Sequence, residues 1–328
     1  EMAYGSAIQY NASGGEYIYI AIRRPDPLVQ KPQLATDVFA MATGGSSAAG
    51  GSGCFNSGFP VDFATLRTTG SHPWQTSARQ MGKRYMPGLN QTNAETDASN
   101  FTWDSNTGYM TGNFTGYQSW MWKRHAGFDV VNYSGNGSAG HVIKHNLSKI
   151  PQMMWIRRRD SVEDWEVYHK GLNGGTNPQN YGLKLNTTNA EHSSGSARWD
   201  APTATSITVN TDNGTNNSSG TYLMMLFASV EGVSKVGYYT GSGSSGNEQN
   251  VGFSPRFLIV RKVSGDYWQV LDTTRGWGAG DDKKLELNDS SAQVSVDIGA
   301  PTSTGFTWVD GSGAYNASGQ NYIYYAHA

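Results

Sequence analysis

Short apolar runs separated by polar, glycine-rich turns recur along the whole chain. Three of them share a signature: Asn11-Ala12-Ser13-Gly14 leads into Tyr17-Ile18-Tyr19-Ile20-Ala21, Asn217-Ser218-Ser219-Gly220 into Tyr222-Leu223-Met224-Met225-Leu226-Phe227-Ala228, and Asn316-Ala317-Ser318-Gly319 into Tyr322-Ile323-Tyr324-Tyr325-Ala326. A weaker copy runs from Gly116 to Trp122. Aromatic and β-branched residues bounded by turn formers predict strands. Trp165-Glu166-Val167-Tyr168 alternates as a half-buried strand does. Helical spacing of apolar residues is missing almost everywhere, and Glu95 to Ala98 is too short and polar for a helix. The pattern predicts an all-β fold of antiparallel β-sandwich repeats, of the jelly-roll or lectin-like kind.

Self-similarity sets the organisation. Tyr239-Thr240-Gly241-Ser242-Gly243 resembles Tyr133-Ser134-Gly135-Asn136-Gly137, and Gly252-Phe253-Ser254-Pro255-Arg256-Phe257 parallels Gly58-Phe59-Pro60-Val61-Asp62-Phe63. A strand ends on a basic residue in each unit, at Arg67, Arg157 and Arg261, and a Trp follows at Trp74, Trp165 and Trp268. Leu183-Lys184-Leu185-Asn186 matches Leu285-Glu286-Leu287-Asn288. These anchors predict repeats at 26–127 (the divergent one), 128–232 and 233–328. Residues 1–25 read as the terminal strand of an upstream repeat followed by a linker. The repeated Trp residues are expected to be core anchors, since a residue present in every unit serves the shared fold.

Composition narrows the function classes. Charged residues make up 15% and the formal net charge is −2, so no basic field exists to hold nucleic acid. Aromatic content of 12% argues against disorder. The single cysteine, Cys54, excludes an intrachain disulfide and a thiolate metal site. The longest apolar run, Tyr222 to Ala228, is strand-sized, so no membrane insertion is expected.

The pattern Tyr-Thr-Gly-x-Gly, Gly-Phe-x-Pro-x-Phe, Trp-x-Val and Asn-Ala-Ser-Gly-x-x-Tyr-Ile-Tyr runs through Tyr239–Thr240, Gly252–Phe257, Trp268–Val270 and Asn316–Tyr324. It resembles a tandem β domain of uncharacterised function found in predicted bacteriophage tail-fibre and other virion structural proteins. The second unit matches from Tyr133 to Gly232; the first departs most, with Ala42 replacing the opening Tyr and polar insertions around Asn90 to Asn106. The resemblance implies a protein of the virion surface and assigns no catalytic residue.

Candidate chemistry is sparse. His141 and His145 have zinc-helix spacing, but Gly140 and Asn146 oppose a helix. Glu163/Asp164 and Asp281/Asp282 are adjacent acids in turns, where neighbouring side chains diverge. Asp212-Asn213-Gly214 and Asp310-Gly311-Ser312 read as tight turns more readily than calcium loops. Asn-x-Ser/Thr triplets, at Asn90, Asn186, Asn288 and Asn316 among others, would be glycan acceptors in a eukaryotic secreted chain.

No catalytic residue, metal or cofactor is therefore expected, and the chain reads as a non-enzyme. The leading expectation is a tail fibre or appendage at the virion surface that contacts the host. Its expected partners are copies of itself, a trimer favoured because strand edges need cover, other virion proteins and a host glycan. The alternative is a carbohydrate-binding, adhesive module of a secreted or cell-surface protein. Trp199 and Trp277, which are not repeated in every unit and fall in predicted loops, are the candidate sugar-stacking residues.

Overall fold

A computed structural model describes residues 31–32, 34–47 and 53–328. The expected strand at 1–25 lies outside the described residues. The fold is all-β and antiparallel, and its main elements are three six-stranded sheets with one topology. In the first, the strand order is Phe39–Thr43, Tyr117–Trp122, Phe63–Thr68, Gln75–Ala78, Arg84–Pro87 and Thr96–Asp97. The second runs Phe128–Ser134, Thr221–Phe227, Met153–Arg158, Trp165–His169, Tyr181–Lys184 and His192–Ser193. The third runs Ser234–Thr240, Asn321–His327, Phe257–Lys262, Gln269–Asp272, Asp282–Glu286 and Val294–Val296. Each unit pairs its first strand with its last, so each closes on itself before the chain moves on.

Register relates the three sheets strand for strand. Phe39 faces Trp122, Phe128 faces Phe227 and Ser234 faces His327, each pair at the same corner of its sheet. One sequence match shifts by a residue. Asn216, not Asn217, occupies the place of Asn316: both are fully buried and pin a preceding turn, Asn216 accepting from Asn136 N and Asn316 from Ser242 N at 2.9 Å. The backbone fixes this register, because Ser219 and Gly319 carry the same left-handed φ, 66° and 71°. Tyr222 and Tyr322 complete the motif by receiving the amide of the residue after that Asn and donating to the carbonyl three residues before it.

The sheets are apolar on both faces, as their near-continuous hydrophobic strands require. Leu223, Met225 and Phe227 point inward, while Tyr222, Met224 and Leu226 point outward. The third sheet divides likewise, with Ile323 and Tyr325 inward and Tyr322 and Tyr324 outward. Each outward face packs under short ribbons of its own unit, such as His141–Lys144 paired with Ser206–Val209, and makes a private core. The inward faces do something separate sandwiches would not do. Trp74, Trp122, Phe128, Trp155, Phe257 and Trp268 all belong to one core shared by the three units. Phe63 meets Phe128 at 5.9 Å, Phe227 meets Tyr325 at 5.0 Å and Phe39 meets Phe257 at 5.1 Å between ring centroids, so every unit touches both others. The body is a three-sided prism around a common apolar axis.

Sheet edges are covered within the chain. Gln80 Nε2 donates to Val130 O at 3.0 Å and Asn132 Nδ2 to Gln80 O at 3.1 Å, so a turn of the first unit caps the edge of the second. Gly171 of the second unit lies against Tyr238 on the edge strand of the third; a Cβ there would fall 2.5 Å from Tyr238 Cβ. The opposite edges are met by neighbours: Glu95 N donates to Arg159 O at 2.7 Å, Glu191 N to Val263 O at 2.9 Å and Gln293 N to Thr69 O at 2.8 Å. The need for edge cover that motivated a homotrimer is met by the chain's own neighbours at these positions.

Candidate functional site

The repeated Arg and Trp form three equivalent clamps between units. Arg67, Arg157 and Arg261 are fully buried. Their guanidinium carbons stand 5.5, 5.8 and 4.9 Å from the centroids of Trp74, Trp165 and Trp268, inside cation–π range. Each then reaches backbone carbonyls of another unit. Arg67 donates to Asp289 O at 2.9 Å and to Ser291 O. Arg157 donates to Thr92 O at 2.6 Å and to Asn93 O. Arg261 donates to Lys184 O at 2.8 Å and to Asn189 O. The indole N–H of each Trp follows the same path, to Glu286 O at 2.9 Å, Gly88 O at 3.2 Å and Lys184 O at 3.3 Å. The first unit thus grips the third, the second the first and the third the second.

Among the described residues no carboxylate hydrogen-bonds these guanidiniums; carbonyls do the work. Burial lowers Arg67 and Arg157 to about 10 and Arg261 to about 9, so all three remain cationic at neutral pH. Each clamp is braced from behind by an asparagine. Asn90, Asn186 and Asn288 accept the backbone N–H of Trp74, Trp165 and Trp268 at 3.3, 2.9 and 2.9 Å. These three glycan-acceptor triplets therefore have a structural task, and so does buried Asn316. Asn11 lies outside the described residues.

Trp199 and Trp277 belong to the private outer cores of the second and third units. Trp199 is fully buried beside Tyr168, and Trp277 is 3% exposed, its Nε1 donating to Gly299 O at 2.8 Å. Stacking on a sugar needs an open ring face, and neither ring offers one; their cover is the ribbon layer. His141 Nδ1 meets Asn216 Oδ1 at 3.1 Å and His145 Nε2 meets Thr203 O at 3.2 Å, at the start of and just past the strand His141–Lys144 rather than on a helix. Asp212 caps a one-turn helix by accepting from Gly214 N, and Asp310 accepts from Ser312 N and the Tyr315 hydroxyl. Among the described residues no three His, Cys, Asp or Glu side chains gather to hold a metal ion. The Asp281/Asp282 pair diverges: Asp282 is buried and accepts three backbone N–H groups, while Asp281 is exposed.

One charged group departs from the three-fold plan. Glu166 holds a position that Gln269 fills in the third unit, opposite Lys184 as Gln269 is opposite Glu286. Its side chain is 3% exposed and its Oε2 lies 2.7 Å from Arg198 Nε, with Asp212 3.8 Å from the same nitrogen. Burial outweighs the attraction of Arg198, and Asp212 and Asp164 add negative charge, so the Glu166 carboxyl rises to about 7. The group faces Arg198 and the Gly214 backbone, where a Cβ would fall 3.0 Å from Glu166 Cγ. The arrangement seals the outer ribbon onto the sheet.

Residues 88–328 match a family model described as a domain of unknown function, DUF7483. The chain belongs to this family. No curated protein matches it. The DUF7483 match begins at Gly88, whose carbonyl accepts the Trp165 indole, so it takes in the loop that seats the second clamp. It contains the third clamp whole and the 286–291 carbonyls that receive Arg67, but neither Arg67 nor Trp74.

Proposed function

We propose that this member of the DUF7483 family is a non-catalytic structural module of a virion appendage, a bacteriophage tail fibre in the first instance, exposed at the particle surface and in contact with the host. One observation carries the reading. The side chains repeated in every unit, Arg67/Arg157/Arg261 with Trp74/Trp165/Trp268, are spent on joining three sheets into one three-sided body. Symmetric repetition with polar, weakly charged loops outside suits a part that bears load and resists non-specific adhesion. The resemblance of the Tyr239–Thr240, Gly252–Phe257, Trp268–Val270 and Asn316–Tyr324 segments to virion proteins supports the same setting. Immunogold electron microscopy with antibody against this chain, on particles whose genome encodes it, is the test. Label on projecting fibres is expected; particles that carry no label, with the protein found only free in the lysate, would refute the proposal.

A further inference from the structure

The three units begin and end at one pole. Val38 at the start of the first, Ala126 in the link to the second, and Val230 and Val233 in the link to the third form a small apolar cluster. Ala328 joins them, its amide donating to Val233 O at 2.9 Å. The seam between the first and third units closes here, where Phe39 and His327 have ring centroids 4.5 Å apart.

Two buried histidines meet at this pole, His125 at 2% and His327 at 0% exposure, with centroids 6.3 Å apart and rings edge to face. Their backbone partners set their tautomers. His125 Nδ1 accepts from Gly127 N at 3.0 Å, so the neutral ring carries its proton on Nε2. His327 Nδ1 lies 3.0 Å from the Ala328 carbonyl, which only accepts, so that ring carries its proton on Nδ1 and leaves a lone pair on Nε2. Both Nε2 atoms are buried with no hydrogen-bond partner among the described residues. The two rings therefore meet by packing alone, with no acceptor among the described residues in reach of either Nε2.

We propose that His125 and His327 form a neutral latch that holds the seam between the first and third units closed and releases it on acidification. A proton on His327 Nε2 adds a buried N–H, with no acceptor among the described residues, and a positive charge to the packed ring pair beside an apolar cluster. Burial opposes the charged His327 ring, the Ala328 oxygen on Nδ1 favours it, and neighbouring cations oppose it. Arg256 Nη2 lies 2.7 Å from Ala328 O and 3.4 Å from Phe39 O, and Lys123 bears on His125; both are cations. Nearby Asp129 is committed to Arg124 at 2.5 Å, and Asp62 accepts the Arg124 amide at 2.8 Å. Tyr325, 6.3 Å from His327, is held neutral by burial. Burial lowers His125 to about 3 and His327 well below its ordinary value. The closed pole therefore binds fewer protons than the open one below about pH 6.5, and its stability, complete above that value, declines as pH falls toward 3.

Hydrogen exchange of the full chain at pH 7.5 and pH 5, corrected for intrinsic rates, is the test. Amides around 38–39, 125–128, 230–234 and 326–328 are expected to lose protection at least about tenfold at the lower pH, while Met153–Arg158 keeps its own. The His125→Asn/His327→Asn double variant, whose amides can keep the bonds to Gly127 and Ala328 without titrating, is expected to show no such loss. Imidazole ¹⁵N shifts of the wild-type protein provide a readout independent of that variant's folding: Nε2–H at His125, Nδ1–H at His327, both neutral at pH 5. Titration of both rings near 6.5, or pole protection that ignores pH, would overturn the latch.

Discussion

Replacing Trp268 by Ala tests whether the inward-facing aromatics hold one body or three. The ring is 1% exposed and lies in the shared core. Burying about 200 Å² of such a ring is worth about 5 kcal/mol by area, and large-to-small core changes of this type cost about 3–5 kcal/mol. The variant also loses the indole bond to Lys184 O and the ring beneath Arg261, both of which tie the third unit to the second. The cost should therefore fall on the whole body. For a cooperative unit of this size a loss of about 4 kcal/mol lowers Tm by about 6 °C. Calorimetry should show a single transition moved down as a whole. Two transitions, one near the wild-type temperature and one far below it, would mean that the third unit melts alone, and the reasoning would fail.

Further outcomes follow from the same contacts. Asn288→Ala removes the acceptor for the Trp268 amide and should cost about 1 kcal/mol in urea unfolding. In a glycosylating host, peptide mapping should find no glycan on Asn90, Asn186, Asn288 or Asn316 in folded protein, because those side chains are engaged in bracing or buried. A carboxyl raised from 4.5 to about 7 in the fold holds its proton more tightly there than in the unfolded chain, so Glu166 withdraws stability as pH rises from about 4.5 to 7. Glu166→Gln should abolish that part of the pH dependence, up to about 3 kcal/mol, in unfolding curves compared across this window; an unchanged difference between wild type and variant at both ends would contradict the assignment.

Much of the fold was legible because it is local. The strand at Trp165–Tyr168, the turn before Tyr322 and the recurrence of Arg then Trp all act within a few residues, although that strand is buried on both faces and not half-buried as its alternation suggests. What escaped reading acts at long range. Arg261 looks like an ordinary basic strand end, and only the fold brings Lys184 O to it from 77 positions away. Backbone carbonyls carry no side-chain signature, so the clamps are invisible to composition and spacing. Trp199 and Trp277 lie in polar, glycine-rich stretches that read as open loops, yet Trp199 bridges to Val209 of the outer ribbon and Trp277 bonds to Gly299 of another, so both rings are covered. The Asn motif slipped by one residue because Asn216 and Asn217 are adjacent, and only the backbone turn at Ser219 tells them apart. Glu166 lacked any sequence signal beyond breaking the repeat where Gln269 stands.

The third unit expressed alone, residues 233–328, examined by sedimentation velocity and near-ultraviolet circular dichroism, tests the shared axis most directly. Freed of its neighbours it would expose Val236, Phe257, Ile259, Trp268, Ile323 and Tyr325 together. The shared core predicts that no folded monomer exists: the fragment associates through that face or stays without fixed tertiary structure. A monomer at micromolar concentration with sharp aromatic bands and cooperative melting would contradict it.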